Sequence, residues 1–280
     1  MLEEKEFCKN CGAELYGKFC HECGQKNLTS KDKGLLSFFS ELISSIFVAD
    51  GKFFLTMKLM ITKPGELSLS FIKGIRKRYL SPLQMFFFAN LIYFLFPIIS
   101  SFNTSLYTQL NGLPYSDWVR PKVEQRVENS SLSMEEFTSV YERHSNSNAK
   151  LLLILLVFMQ GLVLRVLFWK RKDLFMVDLF AESAYFYSFY ILAFLVVLPG
   201  VFLFLINQFD VPLGWLFSEV SLSISLFFII WLYSFFQIKR AFAISWLEAG
   251  LKSLALGLWV IPGFFLYRFV LFWISYWMSI

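Results

Sequence analysis

Five long apolar runs dominate the chain: about Leu80–Ser101, Ala149–Trp169, Ser183–Ile206, Trp215–Phe236 and Ser253–Met278. A helix needs ~20 mostly apolar residues to cross a bilayer, and each run meets that length. The first carries no charge. The second carries Arg165 near the "WKRK" that closes it, where a long side chain can reach the headgroups. Ahead of these runs the pattern changes. "GLLSFFSELISSIFVAD" places Leu35, Phe38, Phe39, Leu42, Ile43, Ile46 and Phe47 on one helical stripe, with Ser37, Glu41, Ser44 and Ser45 largely opposite. That run is too short to span, so it predicts a helix lying along a membrane surface. "GKFFLTMKLMITKPG" repeats the pattern and offers Lys52, Lys58 and Lys63 to headgroups before Pro64–Gly65 breaks the chain. The fold class expected is an all-α polytopic membrane protein. Its five spans fill 80–280 around a polar loop at 102–148, interfacial helices and a basic anchor occupy 34–79, and a small unit occupies 1–27. Within the loop, Ser133 ahead of Glu136 predicts a capping box and a short helix.

Composition agrees. A hydrophobic content of 56%, an aromatic content of 20% and only 17% charged residues are wrong for a soluble domain. The mean hydropathy is +0.55. The first thirty residues are polar and lack the apolar core of a signal peptide, which predicts an N-terminus that stays in the cytoplasm. Residues 1–79 hold 13 of the 26 Lys and Arg. "IRKRY" precedes the first run, Lys170–Lys172 follow the second and Lys239–Arg240 follow the fourth, so all three fall on one side if the spans alternate. Excess Lys and Arg mark the cytoplasmic side. The expectation is a multi-pass membrane protein with its N-terminus inside and its C-terminus outside, "WISYWMSI" sitting in the outer aromatic belt.

All four cysteines lie in "CKNCGAELYGKFCHECGQKN": Cys8, Cys11, Cys20 and Cys23. Two C-x-x-C pairs, each followed by glycine and separated by eight residues, have the form of paired zinc knuckles. Four thiolates complete the tetrahedral shell of a structural zinc ion. A ribbon this small can hardly bury a core, so its fold depends on the metal. His21 lies inside the second knuckle as a bystander. The alternatives are two disulfides or four free thiols, and a reducing cytosol disfavours the disulfides.

The residues "CKNCGAELYGKFCHECGQKN" followed by "ADGKFFLTMKLMITKPGELSLSFIKGIRKRYLSP" resemble a bacterial family of membrane proteins catalogued as domain of unknown function 3667, over about residues 7–96. "DLFMVDLFAESAYFYSFY" resembles the family's segment leading into the third span. The resemblance implies a membrane fold with an N-terminal zinc ribbon, and brings no activity.

No catalytic set can be assembled. The two histidines are His21 and His144, and there is no P-loop, G-x-G-x-x-G or H-E-x-x-H. Lys73, Arg76, Lys77 and Arg78 form a basic cluster expected at the lipid surface, where it orients the first span. A net charge of +5 with bases flush against a bilayer points away from nucleic acid. Ionisable residues inside membranes are costly and mostly paired or functional. Glu219 and Arg268 in the fourth and fifth runs are expected to form an ion pair, whereas Asp178, Glu182, Glu248 and Lys252 are expected at the inner boundary, solvated by the interface. The role expected is a non-enzymatic docking, regulatory or scaffold protein whose ribbon meets a protein partner. The alternatives are a small-molecule or ion transporter and, more weakly, a membrane-embedded lipid-modifying enzyme. A homo-oligomer is compatible with either of the first two.

Overall fold

The computed structural model describes residues 6–27, 51–96, 102–130, 132–209 and 219–279. Side chains at 202, 203, 205–207, 209 and 219–226 lie outside that description. So do the surface helix expected within 34–50, the end of the first apolar run and most of the connection before the fourth.

The described helices are α1 (Lys52–Thr62), α2 (Glu66–Ile72), α3 (Pro82–Leu95), α4 (Leu106–Asn111), α5 (Ser116–Glu128), α6 (Met134–Leu167), α7 (Met176–Tyr190), a π-helical segment (Ile191–Val197), α8 (Leu198–Phe209), α9 (Glu219–Phe242) and α10 (Trp246–Met278). Among the described residues, three helices are long and apolar enough to cross a membrane: Met134–Leu167, Met176–Val201 and Trp246–Met278. α3 is apolar but has only 14 residues, roughly 21 Å at ~1.5 Å rise. α9 has 24 residues, the first of them described by backbone alone.

The sequence signals set the helix starts. Ser81 accepts from the Gln84 N–H, and the Gln84 side chain accepts in return from the Ser81 N–H, with Pro82 at the first helical position. Ser133 and Glu136 form the same reciprocal cap on α6. That cap does not start a short loop helix. α6 continues for 34 residues into the apolar run, because no glycine or proline interrupts it before Gly161. Phe137, Tyr141, Ser145 and Asn148 supply a continuous buried face. In the span that begins at Met176, the π segment sits just ahead of Pro199. Proline has no N–H to give the carbonyl one turn back, and the register shift absorbs that loss.

α6 runs along α10, α10 along α9, and α7 fits between α3 and α6. The largest cluster joins α3, α6, α7, the π segment, α9 and α10 through Met85, Phe86, Leu153, Val157, Tyr185, Ile191, Tyr233 and Tyr267. At one end, α4 and α5 fold over α6 and α10. Leu106, Val119, Val123, Phe137, Tyr141, Phe272 and Tyr276 form a separate core there. The Tyr276 hydroxyl donates to the Lys122 carbonyl, and the Arg126 guanidinium stands 4.2 Å from the Tyr276 ring centre. The polar stretch 102–148 is therefore a helical cap, and part of the expected aromatic belt packs against it.

The other end is built from α1 and α2. They meet at Pro64–Gly65, where Gly65 has φ 84°. A Cβ at Gly65 would strike the Gln237 carbonyl of α9. Leu67, Ser68, Ser70 and Phe71 of α2 are buried, packed on α7 and α9. Arg240 donates to the Pro64 carbonyl at 3.1 Å, and the Tyr233 hydroxyl donates to the Met60 carbonyl at 3.1 Å. This segment is wedged into the bundle as well as carrying exposed lysines.

Candidate metal centre and its docking contact

The ribbon is a pair of knuckles offset by twelve residues. Cys8 N–H donates to the Ala13 carbonyl and Gly12 N–H to the Cys8 carbonyl. Twelve positions on, Cys20 N–H donates to Gln25 and Gly24 N–H to Cys20, all at 2.8 Å. The bridges Phe7–Glu14 and Phe19–Lys26 follow the same offset. Gly12 and Gly24 have φ of 78° and 67°, where a side chain is strained. That is why glycine follows each C-x-x-C.

This duplication aims four thiols at one point. All four sulfurs lie within 4.8 Å of one another, with Cys8 to Cys23 at 3.7 Å and Cys11 to Cys20 at 3.5 Å. None is disulfide-bonded, and both separations are far longer than the ~2.05 Å of an S–S bond. Sulfurs at ~2.3 Å from one tetrahedral ion stand roughly 3.75 Å apart, so the cluster has the dimensions of a metal site. Its protonation chemistry agrees. The Gln25 backbone N–H first, and the Asn10 side chain second, bring the Cys23 thiol down to about 6. At Cys11 the largest influence, the Ala13 backbone N–H, favours the thiolate. Desolvation and the three neighbouring sulfurs outweigh it and push that thiol up to about 12. Four thiolates are compatible only with a cation among them, and metal uptake displaces protons. His21 is about half exposed and 3.7 Å from Glu22, outside this set.

The Gln25 side chain holds the ribbon against the next segment. Gln25 is buried. Its Nε2 donates to the Gly74 carbonyl at 2.5 Å, and its Oε1 accepts from the Arg76 N–H at 3.3 Å. α2 prepares this surface by ending on Gly74 at φ 88°. The Gly74 N–H returns to the Phe71 carbonyl and the Ile75 N–H to the Ser70 carbonyl, a glycine-terminated helix end that turns the next peptides outward. The docking contact therefore falls inside the basic cluster. Lys73, Lys77 and Arg78 are exposed, whereas Arg76 is half-buried with its guanidinium 4.4 Å from the Phe71 ring centre. Leu80, which closes the stretch, is fixed from two directions: its N–H donates to Thr56 at 3.0 Å, and its carbonyl accepts from the Tyr185 hydroxyl at 2.8 Å.

Arg171, Lys239 and Arg240 gather at the same end of the bundle. Arg171 pairs with Asp173 at 2.8 Å and donates to the Phe242 carbonyl at the end of α9. Lys239 stands over Trp246 at 3.9 Å. Of the four charges expected at the solvated boundary, Glu248 and Lys252 pair at 2.6 Å and stay partly exposed. Asp178 and Glu182 are different: each is only 1% exposed. In the expected ion pair, the Glu219 side chain lies outside the described residues. Arg268 stands 4.6 Å from the Phe264 ring centre, near enough to the Tyr115 phenol of the cap to act on it. Burial is the larger influence on that phenol and raises it, with Arg268 opposing.

Fold and site together define an all-helical protein with membrane-length helices and an N-terminal four-cysteine cluster able to hold a metal ion. The family model described as "Protein of unknown function (DUF3667)" matches residues 50–94. The matched stretch covers α1, α2, the basic turn that receives Gln25, and α3 as far as Phe94. The search of curated proteins found no match, and neither did the search of solved structures.

Proposed function

We propose that this chain is a non-enzymatic integral protein of a bacterial inner membrane. Five spans carry a structural zinc ribbon on the cytoplasmic face, where it serves as a docking or regulatory module. The observation that carries this reading is the two-way hydrogen bonding of Gln25 with Gly74 and Arg76. It ties the metal-dependent unit to the basic segment that enters the bilayer. A ribbon held in one place presents a fixed surface to a partner and loses less conformational freedom on binding. Zinc is favoured as the ion because four thiolates at this spacing and a tetrahedral shell are its preferred structural site. Exposed Lys73, Lys77 and Arg78 beside the dock suit anionic headgroups on the cytoplasmic leaflet. The expected pairing of Glu219 with Arg268 stays part of the proposal.

Chemical cross-linking of the full-length protein in its own membranes tests the role. The exposed Lys9 and Lys18 of the ribbon should join one defined protein partner, and both chelation of zinc and Gln25→Ala should abolish the cross-link. If no such partner forms, and vesicles reconstituted with the pure protein move a solute, the transporter alternative replaces this one. The sign with pH is fixed by the ligands. Protons compete with the metal for the four sulfurs, so zinc occupancy and the cross-link should both decline as pH falls.

A further inference from the structure

The Glu182 carboxyl is a buried ionisable group that neither the ribbon nor its dock uses. It projects from α7, within the candidate span Met176–Val201, six residues or ~9 Å from the helix start. The wedge formed by α2 and the facing side of α9 close over it. Ser68 of α2 and Gln237 of α9 lie beside the carboxyl, and the Gln237 amide donates to the Glu182 backbone carbonyl at 3.2 Å. Glu182, Ser68 and Gln237 are 1%, 1% and 2% exposed. Neither Glu182 Oε2 nor Ser68 Oγ has a hydrogen-bond partner among the described residues.

The surroundings supply no compensating charge. Among the described residues no lysine, arginine or histidine forms an ion pair with Glu182. α2 offers Ser68, and its Glu66 is only half-buried at the helix start. α9 offers Gln237 and, one turn away, Tyr233, whose hydroxyl is committed to Met60. Lys239 and Arg240 of α9 are engaged at the bundle end with Trp246 and Pro64. α3 contains no ionisable residue but Tyr93, and the π segment contains none. Lys52 and Lys58 of α1 are half-exposed and exposed. Arg165 of α6 donates to the Arg171 and Leu174 carbonyls. On α7 itself, Asp178 caps the helix through the Phe175 N–H, and Tyr185 is bonded to Leu80.

A lone carboxylate in such a place is strongly disfavoured, whereas a carboxylic acid has an O–H to offer the Ser68 oxygen. We propose that Glu182, with Ser68 and Gln237, is a proton-binding site inside the helical bundle. It is separate from the metal centre and independent of the docking role. The carboxyl binds and releases one proton, and the ligand is H⁺ rather than a metal cation.

Dicyclohexylcarbodiimide, which adds to protonated carboxyls in apolar surroundings, tests this on the full-length protein in liposomes, read by peptide mass spectrometry. Glu182 should be modified at neutral pH about tenfold more than ion-paired Glu248. The modification should fall as pH rises and be unchanged when sodium replaces choline. Glu182→Gln should remove it. If that variant fails to fold, the comparison of the Glu182 and Glu248 peptides in the unaltered protein still decides. An unmodified Glu182, a yield independent of pH, or protection by sodium would each overturn the proposal, the last by assigning the site to a metal cation.

Discussion

Cys20→Ser is expected to strip the metal from the protein, taking zinc from about one ion per chain to near none by elemental analysis. Structural zinc in ribbons of this size carries an apparent ~10–16 kcal/mol of binding free energy at neutral pH, and no other source of stability in the ribbon approaches that. Its described residues hold isolated bridges, turn hydrogen bonds, a few exposed side-chain bonds and three buried side chains, Cys8, Cys20 and Gln25. The substitution should therefore unfold residues 6–27 while leaving the helical bundle intact. The bundle loses the two Gln25 bonds, each worth ~0.5–1.5 kcal/mol net. His21→Ala should leave the zinc content unchanged, because four sulfurs already fill the shell. A Cys20→Ser protein that retained a full complement of zinc would contradict the assignment of the ligands.

The second large effect is expected at Gly65. Its φ of 84° disfavours any L side chain, by ~1–2 kcal/mol. A Cβ there would also strike the Gln237 carbonyl and crowd the Ala241 amide at 3.1 Å, backbone atoms that cannot rotate away. Overpacking of this kind typically adds ~1–3 kcal/mol. Gly65→Ala should thus destabilise the solubilised protein by about 3 kcal/mol in total, seen as a clear fall in Tm. It should also raise hydrogen exchange in α2, since the wedge covering Glu182 is levered off α9. Gly51→Ala is the control. No atom lies within 4 Å of the Cβ it would introduce, and its effect should stay within ~0.5 kcal/mol. Equal stability of the two variants would refute the close approach of Gly65 to α9.

The sequence made some features legible and hid others for physical reasons. The metal cluster was readable because C-x-x-C-G encodes its own geometry: the ligands are local and the glycines supply the left-handed turns. Membrane helices were readable from long apolar runs, and Ser133 marked a helix start through its capping box. Boundaries were less readable. The polar residues of 134–148 hide half of α6, since a helix leaving the apolar layer changes composition without changing backbone. Its continuation depends on Phe137 and Tyr141 finding Phe272 and Tyr276, far away in the chain. Glu182 was misplaced for a similar reason. Its position near "KRKD" suggests a solvated boundary, and the inward packing of α2 and α9 buries it. The Gln25 dock left no motif of its own, because both of its partners are backbone groups and glutamine is common on surfaces. The twelve-residue offset between "EFCKNCGAE" and "KFCHECGQK" was the available clue that position 25 has a structural counterpart in Ala13.

Hydrogen–deuterium exchange on the full-length protein, with zinc bound and after chelation, most directly tests whether a metal-organised ribbon is docked on the basic turn. Loss of zinc should deprotect residues 6–27 and, in the same step, the amide of Arg76, whose partner is the Gln25 side chain. The amides of α6 and α10 should not change. Deprotection of the ribbon with no change at Arg76, or no effect of chelation on the ribbon at all, would contradict the account.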